Sequence, residues 1–172
     1  IRVRLAAHEV FRATGHTARA AGMLEEINQL AGRRDWAYRD PTNRVALGRA
    51  AILLGADPKK VLDLFFTPAR KAAPDYRETY LASGELALRK NDFALAGKTF
   101  NQAAERFPED PEIVFGIAQA FAPSDTEVME QAIQRVLEIN TNHLGARLLI
   151  VDNQVDAEEY SEADEILKDI EK

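Results

Sequence analysis

Two stretches of the sequence carry side chains of the kinds that bind metal ions. His8-Glu9-Val10-Phe11-Arg12 starts the pattern in which two histidines, four residues apart on one face of a helix, hold zinc. Arg12 stands where the second histidine is needed, and a guanidinium cation cannot ligate a metal. His16 and His143 have no partner at ligand spacing. We therefore predict no metal site at these positions and interpret the histidines as surface or helix-packing residues.

A run of carboxylates from Asp156 to Glu165 raises the separate question of calcium. Calcium loops place alternating carboxylates around a glycine turn, and this run contains no glycine. Tyr160, Ala163 and Leu167 instead keep a helical spacing through it. The prediction is the solvated outer face of a final helical hairpin, with a functional acidic patch as the alternative.

Other catalytic arrangements do not occur in the sequence. Gly32-Arg33-Arg34 lacks the remainder of a glycine-rich phosphate loop, and no serine lies in a nucleophile elbow. The chain has no cysteine, which removes thiolate ligands, cysteine nucleophiles and disulfides together. We therefore predict a protein that is not an enzyme, with no catalytic residue and no cofactor.

The elements that must position the remaining side chains repeat with a period of 34 residues. Between Arg77 and Asp110 the order is an aromatic residue, a small pair, alanine and a turn, followed by alanine, an aromatic residue, alanine and proline. These are Tyr80, Ser83-Gly84, Ala87, Asn91-Asp92-Phe93, Ala96, Phe100, Ala103 and Pro108. In this order and spacing the stretch resembles the tetratricopeptide repeat, a helix–turn–helix unit. The resemblance implies an all-α fold and a role in binding other polypeptides.

The same register extends along the chain. Its units cover residues 1–34, 43–76, 77–110, 111–143 and 144–172, with an insert at 35–42. The resemblance therefore implies a right-handed α-solenoid of about five helical hairpins that forms one domain. The chain begins on Ile1 and stops before the last unit closes, so we expect a segment of a longer protein.

Local chemistry marks the helix boundaries and the contacts between helices. Asp40-Pro41, Asp57-Pro58 and Asp110-Pro111 each offer an N-cap followed by a proline at the first helical position. Small residues such as Gly84 and Ala96 are expected to let the two helices of a hairpin approach closely. These signals predict where the helices begin and how they pack.

Pro68 conflicts locally with the helical pattern. Inside an uninterrupted helix, a proline costs about 3 kcal/mol. We therefore expect the helix from Pro58 to break near Phe66, and Thr67 to cap a separate short turn that begins at Pro68.

Trp36 and Tyr38 lie in the insert between the first two units. Aromatic residues at such a position commonly fill the gap where a repeat is interrupted. We favour this packing role, with an aromatic binding patch as the alternative.

Charge is distributed unevenly along the chain, whose formal net charge is −6. Residues 1–76 hold 13 Lys and Arg against 8 Asp and Glu, whereas residues 77–172 hold 9 against 20. This polarity either steers a charged partner or a second copy of the chain, or reflects solvated faces without functional consequence. The net acidity argues against nucleic acid as a partner. No apolar run approaches the ~18 residues of a membrane span, so we expect a soluble protein without membrane insertion. The compartment, cytoplasm or periplasm, stays open at this point.

Tetratricopeptide proteins usually bind ligands on the concave surface that the first helix of each unit lines. The fifth residues of the units are Leu5, Leu47, Leu81, Phe115 and Leu148. The resemblance implies that they form an apolar ladder in a peptide-binding groove, which we call the predicted groove. Its residues are Leu47, Ala51, Glu78, Leu81, Glu85, Leu88, Phe115, Gln119, Leu148 and Asp152. The alternative, that ladder residues belong to the core, stays open for Leu5 and Leu148, whereas we favour the groove for Leu81 and Phe115.

An apolar ladder beside acidic residues suits an amphipathic helix or an extended apolar segment with basic flanks. The sequence thus predicts a non-catalytic scaffold for protein–protein interaction, whose ligand comes from another protein or from the same polypeptide. Exposed repeat ends also permit self-association.

The alternative function is a structural spacer that positions a neighbouring domain. Phrases such as Gly84–Leu88 and Asp156–Tyr160 resemble, more faintly, the repeat arrays of long bacterial proteins that also carry a gluzincin-type metallopeptidase domain. The resemblance implies that such a peptidase domain would lie outside this chain.

Overall fold

The computed structural model describes residues 1–33 and 40–171. Within these ranges every regular element is a helix, and no strand occurs. The predicted all-α fold of tetratricopeptide-like helical hairpins is therefore confirmed. The chain divides into two compact units, Ile1–Ser83 and Gly84–Lys172, which we call the N-terminal and C-terminal units and describe separately.

The N-terminal unit is built from helices that pack side by side. They are α1 (Arg2–Ala13), α2 (Thr17–Gly32), α3 (Pro41–Leu53), α4 (Pro58–Val61), a π-helical segment (Leu62–Phe66), α5 (Thr67–Ala72) and the first part of α6 (Arg77–Arg89). Helix α1 packs against both α2 and α3, and α3 packs against the helical residues 58–72. The core between α1, α2 and α3 consists of Leu5, Leu24, Ile27, Ala46 and Ala50.

The C-terminal unit continues the alternation of helices. It contains the remainder of α6, then α7 (Phe93–Ala104), α8 (Pro111–Phe121), α9 (Thr126–Ile139), α10 (Leu144–Asp156) and α11 (Tyr160–Ile170). Helix α8 packs against α7 and α9, while α10 packs against α11 and also contacts α8 and α9. A shared core joins α8, α9 and α10 through Val114, Ala118, Met129, Ala132, Ile133, Val136 and Ala146.

The predicted aspartate caps are confirmed. Asp57 Oδ1 accepts a hydrogen bond of 2.9 Å from the Lys60 amide. Asp110 Oδ1 accepts from the Glu112 amide at 3.1 Å and from the Ile113 amide at 3.3 Å. These bonds satisfy N–H groups that have no partner within the helix. The sequence therefore specifies these helix starts through local chemistry.

The predicted break near Phe66 is wrong. Helix α4, the π-helical segment and α5 form a continuous helical backbone over residues 58–72. Phe66 and Thr67 have helical φ/ψ angles of −76°/−45° and −62°/−46°. The Thr67 N–H donates to the carbonyl of Leu62, five residues earlier. This wider turn inserts one extra residue just before Pro68, so that the helix accommodates the proline without ending.

Small residues permit close helix packing in the C-terminal unit. Ala96 and Ala103 on α7 are 0% exposed. A Cβ placed on Gly84 would lie only 2.3 Å from Cζ of Phe100, so the Phe100 ring packs directly on the α6 backbone. The predicted role of Gly84 and Ala96 in helix approach is borne out by these contacts.

The predicted insert at 35–42 falls largely outside the described residues. Trp36 and Tyr38 both lie there, so their proposed packing role stays a prediction. The end of the insert is described: Asp40 is the N-cap of α3, and Pro41 is its first residue.

Candidate functional site

Four residues of the predicted groove lie in the N-terminal unit. Leu47, Ala51 and Glu78 are partly buried, and Leu47 packs against the core of α1, α2 and α3. Leu81 is buried, with 6% of its surface exposed. Leu81 therefore offers little area to a ligand, although its position on α6 is that of a groove residue.

A small cavity of about 260 Å³ opens between α1, α3 and the residues that lead into α6. It brings Glu78 of the predicted groove together with Leu5 of the apolar ladder and with Glu9. Leu47 and Ala51 are not among its lining residues. The cavity also includes Arg49 and Tyr76, which sequence reasoning did not select.

Charged groups hold the wall of this cavity in place. Arg49 Nη2 donates to Glu78 Oε2 at 3.3 Å, and Arg77 Nη1 donates to Glu78 Oε1 at 2.8 Å. The pKa of the Tyr76 hydroxyl is raised, first by burial and then by the neighbouring Glu78 charge. Glu78 is thus already engaged by two guanidinium groups, and a ligand at this point must compete with them.

The other six groove residues lie in the C-terminal unit. Glu85, Leu88, Phe115 and Gln119 are partly buried, and Asp152 is exposed. Leu148 is 39% exposed. Exposure therefore increases along the predicted groove toward α10 within this unit.

Phe115 on α8 is fixed against the start of α10. Its ring centroid lies 4.8 Å from that of His143, with the rings tilted by 54°. His143 is the N-cap of α10: its Nδ1 accepts from the Ala146 amide at 3.0 Å. Nε2 must then carry the ring proton, and it lies 3.2 Å from Glu112 Oε1 as a donor. This network fixes Phe115 on α8 against the start of α10. These two helices are the first helices of consecutive repeats.

An exposed apolar stripe runs along α10. Leu144, Leu148 and Val155 are 53%, 39% and 45% exposed, and Asp152 lies among them on the same face. Their spacing of three and four residues places them along one side of the helix. We call these four residues the α10 stripe. It contains two residues of the predicted groove, Leu148 and Asp152.

Sequence reasoning missed Leu144 and Val155 as members of this surface. Their spacing from Leu148 was a usable signal, because residues four before and seven after it share a helix face. What the sequence did not reveal was which face α10 turns toward its neighbours, since both sides of this helix carry apolar residues.

Neither a metal-binding cluster nor a membrane-spanning helix is found in the described part of the chain. No group of three or more His, Asp or Glu side chains in that part is arranged to hold a metal ion. Within the same ranges, no helix combines the length and the apolar character that crossing a membrane requires.

Comparison with known proteins relates this fold to solved structures. No family model matches the chain, and no curated protein sequence matches it. The structure described as MamA 41-end from Desulfovibrio magneticus RS-1 aligns over 95% of this chain and 92% of its own, with a TM-score of 0.68 and 18% identity. The MamA RS-1 ArsTM double mutant aligns over 98% and 91%, with a TM-score of 0.64 and 16% identity. A crystal structure of MamA protein aligns over 97% and 87%, with a TM-score of 0.61 and 11% identity.

Similarity of this extent shows a shared tetratricopeptide-like fold. At these identities it transfers no individual site residue. The assignment of function therefore depends on the surfaces of this chain.

Proposed function

We propose that this protein is a non-catalytic scaffold that binds a peptide or amphipathic helix along the first helices of its repeats. The α10 stripe is the observation that supports this proposal. Contiguous exposed apolar residues are uncommon on a surface that meets only water, and they mark interaction sites. Tetratricopeptide-like hairpins expose such surfaces by stacking side by side.

The charge of the C-terminal unit favours a basic ligand. Residues 84–172 include 8 Lys and Arg against 19 Asp and Glu, a formal charge of −11. Asp152 lies within the stripe, beside Leu148. A ligand with apolar anchors and flanking Lys or Arg would complement both properties of this surface.

The ten groove residues contribute differently to this proposal. Leu148 and Asp152 would contact the ligand directly, because their side chains are exposed. Phe115 and Gln119 would contribute partial surface from α8. Leu81 would act mainly by supporting the backbone of its helix, because it is buried. The remaining positions, Leu47, Ala51, Glu78, Glu85 and Leu88, are partly buried and would contribute at their exposed edges.

The test starts from a displayed library of helical peptides with fixed apolar anchors and randomised flanks. Peptides selected on the wild-type chain are titrated by fluorescence anisotropy against wild type, Leu148→Glu and Leu95→Glu. Leu95 is a matched control, because it is 36% exposed on the second helix of its hairpin, α7. We expect Leu148→Glu to weaken binding by at least about tenfold, through loss of an apolar anchor, and Leu95→Glu to leave it unchanged.

Circular dichroism verifies that both variants keep the wild-type helix content. Equal affinities for all three proteins would contradict the proposal. A library that yields no peptide with affinity for the wild-type chain would contradict it as well.

A spacer role is the second proposal, in which the repeats position a neighbouring domain such as a peptidase. Tyr160 and Leu167 on α11 are 63% and 40% exposed, and a neighbouring domain or further repeat would cover them. If the spacer role is right, α11 should exchange its amide hydrogens more slowly in a longer chain that includes the neighbour than in the present chain. Peptide binding to the α10 stripe would instead leave α11 exchange unchanged, which separates the two roles.

A further inference from the structure

We propose that the C-terminal unit has a second docking site, which takes an amphipathic helix that carries lysine or arginine beside its apolar face. The site is a trough between α9 and the C-terminal half of α10, and we call it the α9–α10 trough. Its volume is about 640 Å³.

The shape of the trough suits a helix. Glu130, Gln134 and Glu138 line it from α9, and their spacing of four residues places them along one side of that helix. From the first to the last of them, α9 rises about 12 Å, or more than two turns. Because both walls are helices, the space between them resembles the groove into which a further helix packs.

The floor of the trough is apolar with one polar exception. Ile133, Leu137 and Ile150 line it, and the latter two pack against the core of α8, α9 and α10. Gln154 also lines the trough, and its Oε1 is buried without a hydrogen-bond partner among the described residues. A buried acceptor left unpaired is costly, so the Gln154 side chain gains if it turns Oε1 toward an N–H donor of a ligand in the trough.

The charge of the rim indicates the sign of the ligand. Glu130, Glu138 and Glu159 all line the trough. Glu138 accepts from Arg135 at 3.0 Å, whereas Glu130 and Glu159 have no ion-pair partner in the described ranges. Glu159 is the N-cap residue of α11, yet its side chain makes no capping hydrogen bond. Two carboxylates are therefore available to a Lys or Arg side chain of a partner.

The trough is separate from the α10 stripe. Ile150 follows Leu148 by two residues, which corresponds to a rotation of about 200° around the helix. The two surfaces thus use opposite sides of α10. The proposal for the trough goes beyond the proposed function and does not depend on it.

The experiment uses a fluorescein-labelled synthetic helix of about 18 residues, with leucines on one face and lysines on the other. A second peptide with glutamate in place of lysine serves as the control ligand. We expect the lysine peptide to bind the whole chain and the glutamate peptide not to bind. Neutralising the rim with Glu130→Gln, Glu138→Gln and Glu159→Gln should weaken the lysine peptide by at least about tenfold.

The matched control changes the same amount of charge elsewhere on the unit. Glu105, Glu162 and Glu171 are exposed and do not line the trough, so their triple substitution by Gln should preserve most of the affinity. Equal losses of affinity in the two triple variants would show that general charge attraction accounts for the binding, and would overturn the proposal. Failure of the lysine peptide to bind would also overturn it.

Two readouts identify the site and its occupant. Gln154→Met should raise the melting temperature, because the unpaired oxygen is removed, and should weaken the lysine peptide; unchanged affinity would argue against the trough. An excess of a peptide whose binding depends on Leu148 should not displace the lysine peptide, and displacement would assign its binding to the α10 stripe instead. Self-association of the wild-type chain that the rim substitutions abolish would make a second copy the occupant, and would refute a basic amphipathic helix as the partner.

Discussion

The Phe100 ring occupies the space that a side chain at Gly116 would need. A Cβ placed on Gly116 would lie 2.4 Å from Cε1 of Phe100, well inside normal contact. Phe100 is 1% exposed, so the ring is enclosed by the core and can move only if its neighbours move with it. The absence of a side chain at Gly116 therefore sets the distance between α7 and α8.

Gly116→Ala should destabilise the protein by about 1–3 kcal/mol, as expected for overpacking a rigid aromatic core. The matched control is Gly22→Ala, because Gly22 lies within α2 and a Cβ placed on it would have no neighbouring atom within 4 Å. That substitution should stabilise the protein by about 0.5–1 kcal/mol through helix propensity. Urea unfolding measures both changes. Equal unfolding midpoints for the wild type and Gly116→Ala would refute the packing argument.

The hydrogen bonds that the Asp40 carboxylate accepts should make the stability of the protein depend on pH in the acidic range. The pKa of its carboxyl is lowered mainly by the hydrogen bond from the Thr42 hydroxyl, with further contributions from the Thr42 and Asn43 amides. Because the folded pKa lies below the unfolded value of about 3.9, the carboxylate stabilises the fold above that pH. This contribution is lost as the pH falls through the lower, folded pKa.

Asp40→Asn provides the comparison, because asparagine also caps helices but does not titrate. The stability of the wild type relative to this variant should decline as the pH falls below about 4. Free energies of unfolding at a series of acidic pH values measure the difference. Parallel curves for the two proteins would show that the cap contributes no proton linkage.

Because a π-helical turn precedes Pro68, we expect deletion of one residue from the turn to destabilise the protein and Pro68→Ala to compensate for that loss of stability. Leu64 lies in this turn and is 64% exposed. Deleting it should restore the ordinary helical repeat, so that the Pro68 ring meets the carbonyl four residues earlier, at a cost of about 3 kcal/mol. Combining the deletion with Pro68→Ala should recover most of that loss. Thermal unfolding of the single and double changes tests this, and additive destabilisation would contradict it.

Local signals in the sequence predicted much of the fold. Asp57 and Asp110 start their helices as expected, because an N-cap depends on a few consecutive residues. The expectation at Pro68 failed because it assumed that a helix has only one hydrogen-bond register. A π-helical turn changes that register by one residue, and the sequence carries no strong mark of it.

The candidate site was less predictable than the fold. Leu81 and Leu148 occupy the same position in their repeats, yet they are 6% and 39% exposed. Exposure depends on which side chains cover a position, and the repeat register does not contain that information. The repeat register did not predict the α9–α10 trough either, because the trough is a space between helices and not a pattern of residues.

His143 should couple the stability of α10 to the position of Phe115. His143→Ala removes the cap on the Ala146 amide, which should cost about 1 kcal/mol, and also removes the ring that contacts Phe115. His143→Asn should restore the cap without restoring the ring contact. Unfolding free energies should therefore recover in the asparagine variant, while the NMR signals of the Phe115 ring remain shifted in both. If these signals stay at their wild-type positions in the alanine variant, His143 does not position Phe115.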